Sequence, residues 1–164
     1  MVHASTKRHG SPCSSAGATY RKQNWLGVEE NMTVESDIHA ALMTAAETAL
    51  SGFTVLWSRN GGDMPEGEFA AVTHLPNDNE RVALRGRFGL RRQGFLQINL
   101  VMPLGGYEVV AKEKAGLILE SFPLDTRLTA NTTVVTIYSH SLPQGLEVEG
   151  RWQQPILIEY KANA

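Results

Sequence analysis

The sequence predicts an α+β domain, a mostly antiparallel β-sheet with two α-helices packed on one face, and three observations predict it. Apolar and polar residues alternate in five short runs, near residues 53–58, 68–75, 91–102, 132–139 and 151–160. Only two stretches, 33–50 and 107–122, carry apolar stripes at spacings of three and four. The connections between consecutive strands are short, polar and rich in Gly, Pro, Asn and Asp, which suits antiparallel neighbours with helices on one face.

The first helix starts at Thr33, a capping residue, with Glu35 and Asp37 where the helix dipole favours negative charge. Ile38, Leu42, Ala45, Ala46, Ala49 and Leu50 form its stripe, and Gly52 stands where a left-handed cap is expected. His39 lies off the stripe and reads as solvated. Phe53, Val55 and Trp57 alternate with Thr54, Leu56 and Ser58 as a first strand, and the turn-rich Asn60–Pro65 leads to a second at Glu68–Leu75, closed by Pro76-Asn-Asp-Asn79. His74, within that second run, reads as structural.

The chain is organised around Arg91–Met102. Leu96, Ile98, Leu100 and Met102 form one uniformly apolar face, so this strand is central and covered. Pro103 stops the ladder and Gly105-Gly106 let the backbone reverse into the second helix, whose stripe is Tyr107, Ala111, Ala115, Ile118 and Phe122. Phe122-Pro123 ends it, because the residue before proline is steered out of helical geometry. The β-branched run Thr132–Ser139 is a strand, Ser141–Gly150 a loop, and Arg151–Tyr160 the last strand, with Trp152, Ile156, Ile158 and Tyr160 on one face. Pro155 inside it implies an edge position or a bulge.

Before the central strand lies a connection with five arginines in twelve residues: Arg81, Arg85, Arg87, Arg91 and Arg92. Three readings of it stay open: a solvated loop, an intersubunit contact, and a phosphate-contacting loop. Phe88 is its only aromatic, so it lacks the regular stacking platform of single-strand binders.

With 164 residues and 42% hydrophobic content the chain holds one domain with a real core. A formal charge of −2 disfavours a surface that tracks nucleic acid throughout, and no apolar run reaches the roughly 20 residues of a membrane span. The lone Cys13 allows no intramolecular disulfide and no cysteine metal cluster. Residues 1–31 are polar, without periodicity and without a signal-peptide core, and are expected to be a disordered or non-native extension of the 32–164 domain. Our hypothesis is that Met32 is the natural start, since it directly precedes the helix cap and Glu29-Glu30-Asn31 would fit a purine-rich ribosome-binding run. A native product whose mass places its first residue upstream of Met32 refutes it. Without the extension, Lys plus Arg falls from 15 to 11 and Asp plus Glu from 17 to 15, a formal charge of −4.

No catalytic pattern stands out, so no enzyme activity, cofactor or metal is expected. His39, His74 and His140 lie on separate elements without ligand spacing, and there is neither a Gly-x-Ser-x-Gly elbow nor a phosphate-cradling loop. Asn31-Met-Thr33 and Asn131-Thr-Thr133 match a glycosylation pattern that has no meaning without a secretory signal.

The succession Thr73-His-Leu-Pro-Asn77, Arg92–Gly106, a helix, Phe122-Pro-Leu-Asp-Thr-Arg-Leu128 and Trp152…Pro155-Ile…Tyr160 resembles the phage tail terminators, tail-completion proteins of long-tailed phages that include the lambda minor tail protein U type. The resemblance spans Met32–Ala164 and rests on order and spacing. It implies a non-enzymatic ring, commonly a hexamer, in the virion tail. Such a ring caps the tail tube, stops its polymerisation and presents a surface to head–tail connector proteins, and phage DNA passes its lumen without specific binding. A head-to-tail ring needs two complementary patches per subunit. Arg81, Arg85, Arg87, Arg91 and Arg92 are candidates for one, and Glu147 and Glu149 for the other. The alternatives are a head–tail connector or neck protein, and a nucleic-acid-binding module using the arginine segment.

Overall fold

The computed structural model describes residues 33–58, 64–81 and 90–163. The expectation for residues 1–31 lies outside them, as do Arg85 and Arg87. In chain order the elements are α1 (Val34–Ala49), β1 (Thr54–Trp57), β2 (Phe69–Pro76), β3 (Glu80–Arg81), β4 (Leu90–Pro103), α2 (Glu108–Glu120), β5 (Arg127–Ala130), β6 (Thr133–Ser141), β7 (Leu146–Val148) and β8 (Arg151–Asn163). The strands form one sheet in the order β1-β2-β4-β8-β6-β5, with β3 added to β4 and β7 to β8. Every pairing is antiparallel except β1 with β2. The α+β architecture with both helices over one face is therefore present.

The alternation of β4 decides which face is covered. Leu96, Ile98 and Leu100 are fully buried, and Ile156 and Ile158 of β8 continue the same layer. Ile38, Leu42 and Ala46 of α1 close it from above, as do Ala115, Ile118 and Phe122 of α2. Each fully buried Leu or Ile contributes about 1.5–3 kcal/mol relative to exposure, so this layer is the main source of stability. The small side chains Ala41, Ala46, Ala111 and Ala115 let both helices lie close to the sheet.

Four local expectations need correction. Tyr107 was expected on the buried stripe of α2; it is the N-cap residue, lies outside the helical register and is 82% exposed. Gly52 is not left-handed: α1 ends when the Leu50 N–H bonds the Ala46 C=O and the Phe53 N–H bonds the Leu50 C=O. Pro155 sits in a strand flanked on both sides, opposite Asn99 of β4. On the other side of β8, however, pairing with β7 stops at Gln153 and pairing with β6 starts at Leu157, so Pro155 occupies a local gap where no ladder donor is needed. Ser141–Gly150, expected as a loop, contains strand β7, which pairs with β8; β5, which the pattern did not mark, forms a hairpin with β6 whose two-residue turn begins at Asn131, left-handed at φ 49°.

Candidate functional site

The arginine-rich connection is in part a hairpin. Glu80 and Arg81 pair with Arg91 and Leu90, so Arg91 and Arg92 belong to the central strand and not to a loop. Arg91 reaches Glu80 at 3.5 Å, with both side chains partly exposed. Arg92 faces the helix layer, is mostly buried, and donates its Nε–H to Glu35 of α1 at 2.7 Å. Two of the five arginines thus have acidic partners in their own subunit. An exposed pair such as Arg91–Glu80 contributes about 0–1 kcal/mol and remains open to competition.

The acidic candidates lie on another hairpin. Glu147 is in β7 opposite Trp152, and Glu149 is left-handed at φ 50° in the two-residue turn it makes with Gly150 at φ 72°. Positive φ at both positions is the turn that matches strand twist. Both glutamates are exposed. The ladder between β4 and β8 sets the distance between the two hairpins. It runs from Arg91 opposite Asn163 to Pro103 opposite Arg151, about 40 Å at about 3.4 Å per residue. Among the described residues, β3 and Arg91 of β4 lie at one end of this ladder and the acidic hairpin extends from the other, so Arg91 and Arg92 do not meet Glu147 or Glu149 within a subunit.

The acidic end also carries exposed apolar side chains on the β4–α2 connection, namely Leu104 and Tyr107, with Val109 and Val110 in the first turn of α2. Gly105, at φ +100°, makes the reversal that presents them. On α2 itself, Lys112–Glu108 and Lys114–Glu68 are ion pairs, and the Gln144 side chain donates to Glu108. Those two bonds hold the Glu108 carboxyl below the usual carboxylate range.

A polar relay beneath α1 was not legible in sequence. Tyr160 of β8 extends across Gly94 of β4, and its hydroxyl is 2.7 Å from Nε2 of His74 on β2. Nδ1 of His74 is 3.1 Å from Nδ1 of His39 on α1, with ring centroids 5.3 Å apart. His39, expected to be solvated, is thus exposed yet bonded. Burial, and then the positive charge His39 can carry, push His74 down to about 4 against the weaker raising effect of Glu35. Burial also lowers His39 and pushes the Tyr160 hydroxyl up to about 12. Nearby, the buried Asp37 carboxylate accepts from Asn131 Nδ2 at 2.6 Å and Thr133 Oγ1 at 3.0 Å, which fixes α1 to the β5–β6 turn. The His39–His74–Tyr160 contacts tie α1, β2 and β8 together. Among the described residues no three His, Cys, Asp or Glu side chains come together as metal ligands, and no helix is long and apolar enough to cross a membrane.

Comparison with known proteins matches this arrangement to one family. The family model described as phage tail terminator protein matches residues 37–160. No curated protein sequence matches the chain. Among solved structures, one chain superimposes with a TM-score of 0.60 at 20% identity, covering 80% of this chain and 96% of its own length. A chain from the virion of a native gene transfer agent particle superimposes with a TM-score of 0.54 at 12% identity, covering 82% of this chain and 100% of its own. At these identities the two structures show a shared fold, and the family match over most of the described domain gives the assignment. The chain belongs to the phage tail terminator family and is a structural protein of the phage tail.

Proposed function

We propose that the protein assembles as a homo-oligomeric ring, of the hexameric kind its family resemblance implies, that caps the tail tube of a long-tailed phage. The ring ends polymerisation of the tube protein and offers its other face to head–tail connector proteins, and phage DNA passes through the lumen. Its action is steric and needs no catalysis. The observation that carries this reading is the chemical difference between the two ends of the β4–β8 ladder. One end bears Arg81, Arg91 and Arg92. The other bears Glu147, Glu149 and the exposed Leu104 and Tyr107. A cap that stops one polymer and receives a different partner needs two unlike faces, and a subunit with unlike ends supplies them.

Light scattering of the full chain, alone and with purified tail tube protein, tests the ring. A closed oligomer supports it, and a monomer under every condition, indifferent to tube protein, removes it. Charge reversal at Glu147 and Glu149 then separates two roles for the acidic hairpin. If these carboxylates meet the tube or connector, that binding falls while the ring persists. Loss of the ring itself assigns them to the neighbouring subunit, opposite the arginine segment, as the sequence suggested.

A further inference from the structure

We infer that the seam of the ring is a pair of parallel strands, β5 of one copy against β1 of the next, so that the sheets of neighbouring copies join; this rests on the ring reading above. The sheet path ends at β1 on one side and β5 on the other, each four residues long. The Ser58 N–H bonds the Val72 C=O, so Thr54, Leu56 and Ser58 turn their backbone groups to β2, and Val55 and Trp57 turn theirs outward. The Thr126 C=O accepts from the Ile137 N–H, so Leu128 and Ala130 turn to β6, and Arg127 and Thr129 turn outward. Each edge therefore offers two residues whose N–H and C=O groups have no strand partner among the described residues.

Among the described residues, the β1 edge is unguarded. Thr54-Val-Leu-Trp57 contains no charge and no proline, the devices by which a monomer blunts such an edge. The two edge strands also run in the same direction, because β1 is parallel to β2 and four antiparallel steps lead from β2 to β5.

The register sets the geometry of closure. Thr54 is level with Phe69 of β2. Arg127 is level with Thr136, Lys161 and Gln93, and Gln93 bonds Asn77, eight residues beyond Phe69. Joining β5 to the next β1 thus shifts the register by eight residues for every six strands. At about 3.3 Å per residue and about 4.8 Å per strand, that shift tilts the strands by about 42° from the ring axis. Closed barrels tilt by about 35–45°. The tilt depends on the ratio of shift to strand number, so it is the same for any number of copies. Because the shift is even, the two sheets match face to face: Arg127 and Thr129 lie on the same side as the neighbour's Thr54 and Leu56. Thr129 opposite Leu56 places its backbone groups between those of Val55 and Trp57, the pattern of a parallel ladder. Arg127 has no ion pair among the described residues, and this alignment brings it to the end of the neighbouring sheet where Glu66 and Glu68 precede β2.

Cysteine cross-linking of the full chain tests the seam. In a Cys13→Ser background, Leu56→Cys combined with Thr129→Cys should give, on oxidation, a covalent ladder. Its largest member should equal the copy number found by light scattering, and each single cysteine should give no ladder. Val55→Pro removes an outward N–H and leaves the β1–β2 bonds in place; the variant should keep its circular dichroism spectrum and need at least about tenfold higher concentration to assemble. A wild-type ring that yields no ladder, with Val55→Pro assembling normally, overturns the seam and leaves the ring standing. A wild-type chain that never assembles, even with tube protein, overturns both.

Discussion

Gly94→Ala is the substitution that most directly tests how the sheet is tied to α1. A Cβ built at Gly94 would lie 2.6 Å from the Leu75 C=O oxygen, 2.7 Å from the Tyr160 hydroxyl and 3.0 Å from Pro76 Cα. Two of those three atoms are backbone of β2, which is paired with β4 along this stretch, so they cannot rotate out of the way. Either the strands part locally or Tyr160 leaves His74. Overpacking of this kind costs about 1–3 kcal/mol, and the lost hydrogen bond about 1 kcal/mol more. The lower entropy of the unfolded alanine chain returns about 0.5–1 kcal/mol. The net expectation is a loss of about 1–3.5 kcal/mol, which for a domain of this size lowers Tm by roughly 3–14 °C. Thermal unfolding followed by circular dichroism at neutral pH measures it. Tyr160→Phe alone should cost about 1–2 kcal/mol, because His74 Nε2 is left without its partner. The double variant should recover only part of the glycine effect, since the Leu75 and Pro76 contacts remain. A Tm for Gly94→Ala within about 2 °C of wild type would refute the crossing of Tyr160 over a closed strand pair.

The relay also predicts a pH response. The folded values of His74, at about 4, and of His39 lie below the ordinary 6.5, so the unfolded chain binds protons that the folded chain refuses. Stability should be full above pH 6.5 and fall as pH drops toward about 4. Urea midpoints across that range should fall less steeply for His74→Gln, and parallel curves for the two proteins would refute the assignment. Asp37→Ala removes the acceptor shared by Asn131 and Thr133 and should cost about 2–4 kcal/mol in urea unfolding, whereas a loss under about 0.5 kcal/mol would show that solvent replaces it. Tyr107→Ser should leave Tm within about 1 °C, because this side chain lies outside the core. If it instead unfolds the domain, Tyr107 belongs to the packed stripe after all.

Much of the fold was legible because it follows from period alone. The apolar alternation of Leu96, Ile98 and Leu100 identified the covered face of the central strand, and the α1 stripe with its Thr33 cap appears as read, with the Thr33 side chain accepting from the Ser36 N–H. Short-range patterns report faces, and they are silent about neighbours in the sheet. That is why Pro155 looked like an edge residue: its gap is created by where β6 and β7 begin and end, far away in sequence. The parallel pairing of β1 with β2 was invisible for the same reason, since residues on two adjacent runs cannot state their relative direction. Tyr107 was misplaced by a spacing that extended one residue past the helix start. The relay was missed because His39, His74 and Tyr160 are joined only by tertiary contacts, although Gly94 within an apolar strand was a visible sign that something passes close to the backbone. Among the candidate contacts, clustering of arginines was readable, but the Glu35 partner of Arg92 comes from 57 residues away and no local pattern announces it.

The bond between His39 and His74 joins the same ring atom, Nδ1, on each side. Only one hydrogen can occupy that bond, and this ties the tautomers of the two rings together. In one arrangement Tyr160 donates to Nε2 of His74, whose Nδ1–H donates to His39. In the other, His39 donates through Nδ1–H to His74, whose Nε2–H donates to the tyrosine oxygen. No single ring can change tautomer without the others reversing, so the three side chains form one two-state unit that spans α1, β2 and β8. Nitrogen chemical shifts of both imidazoles should then move in concert when Tyr160 is replaced by Phe.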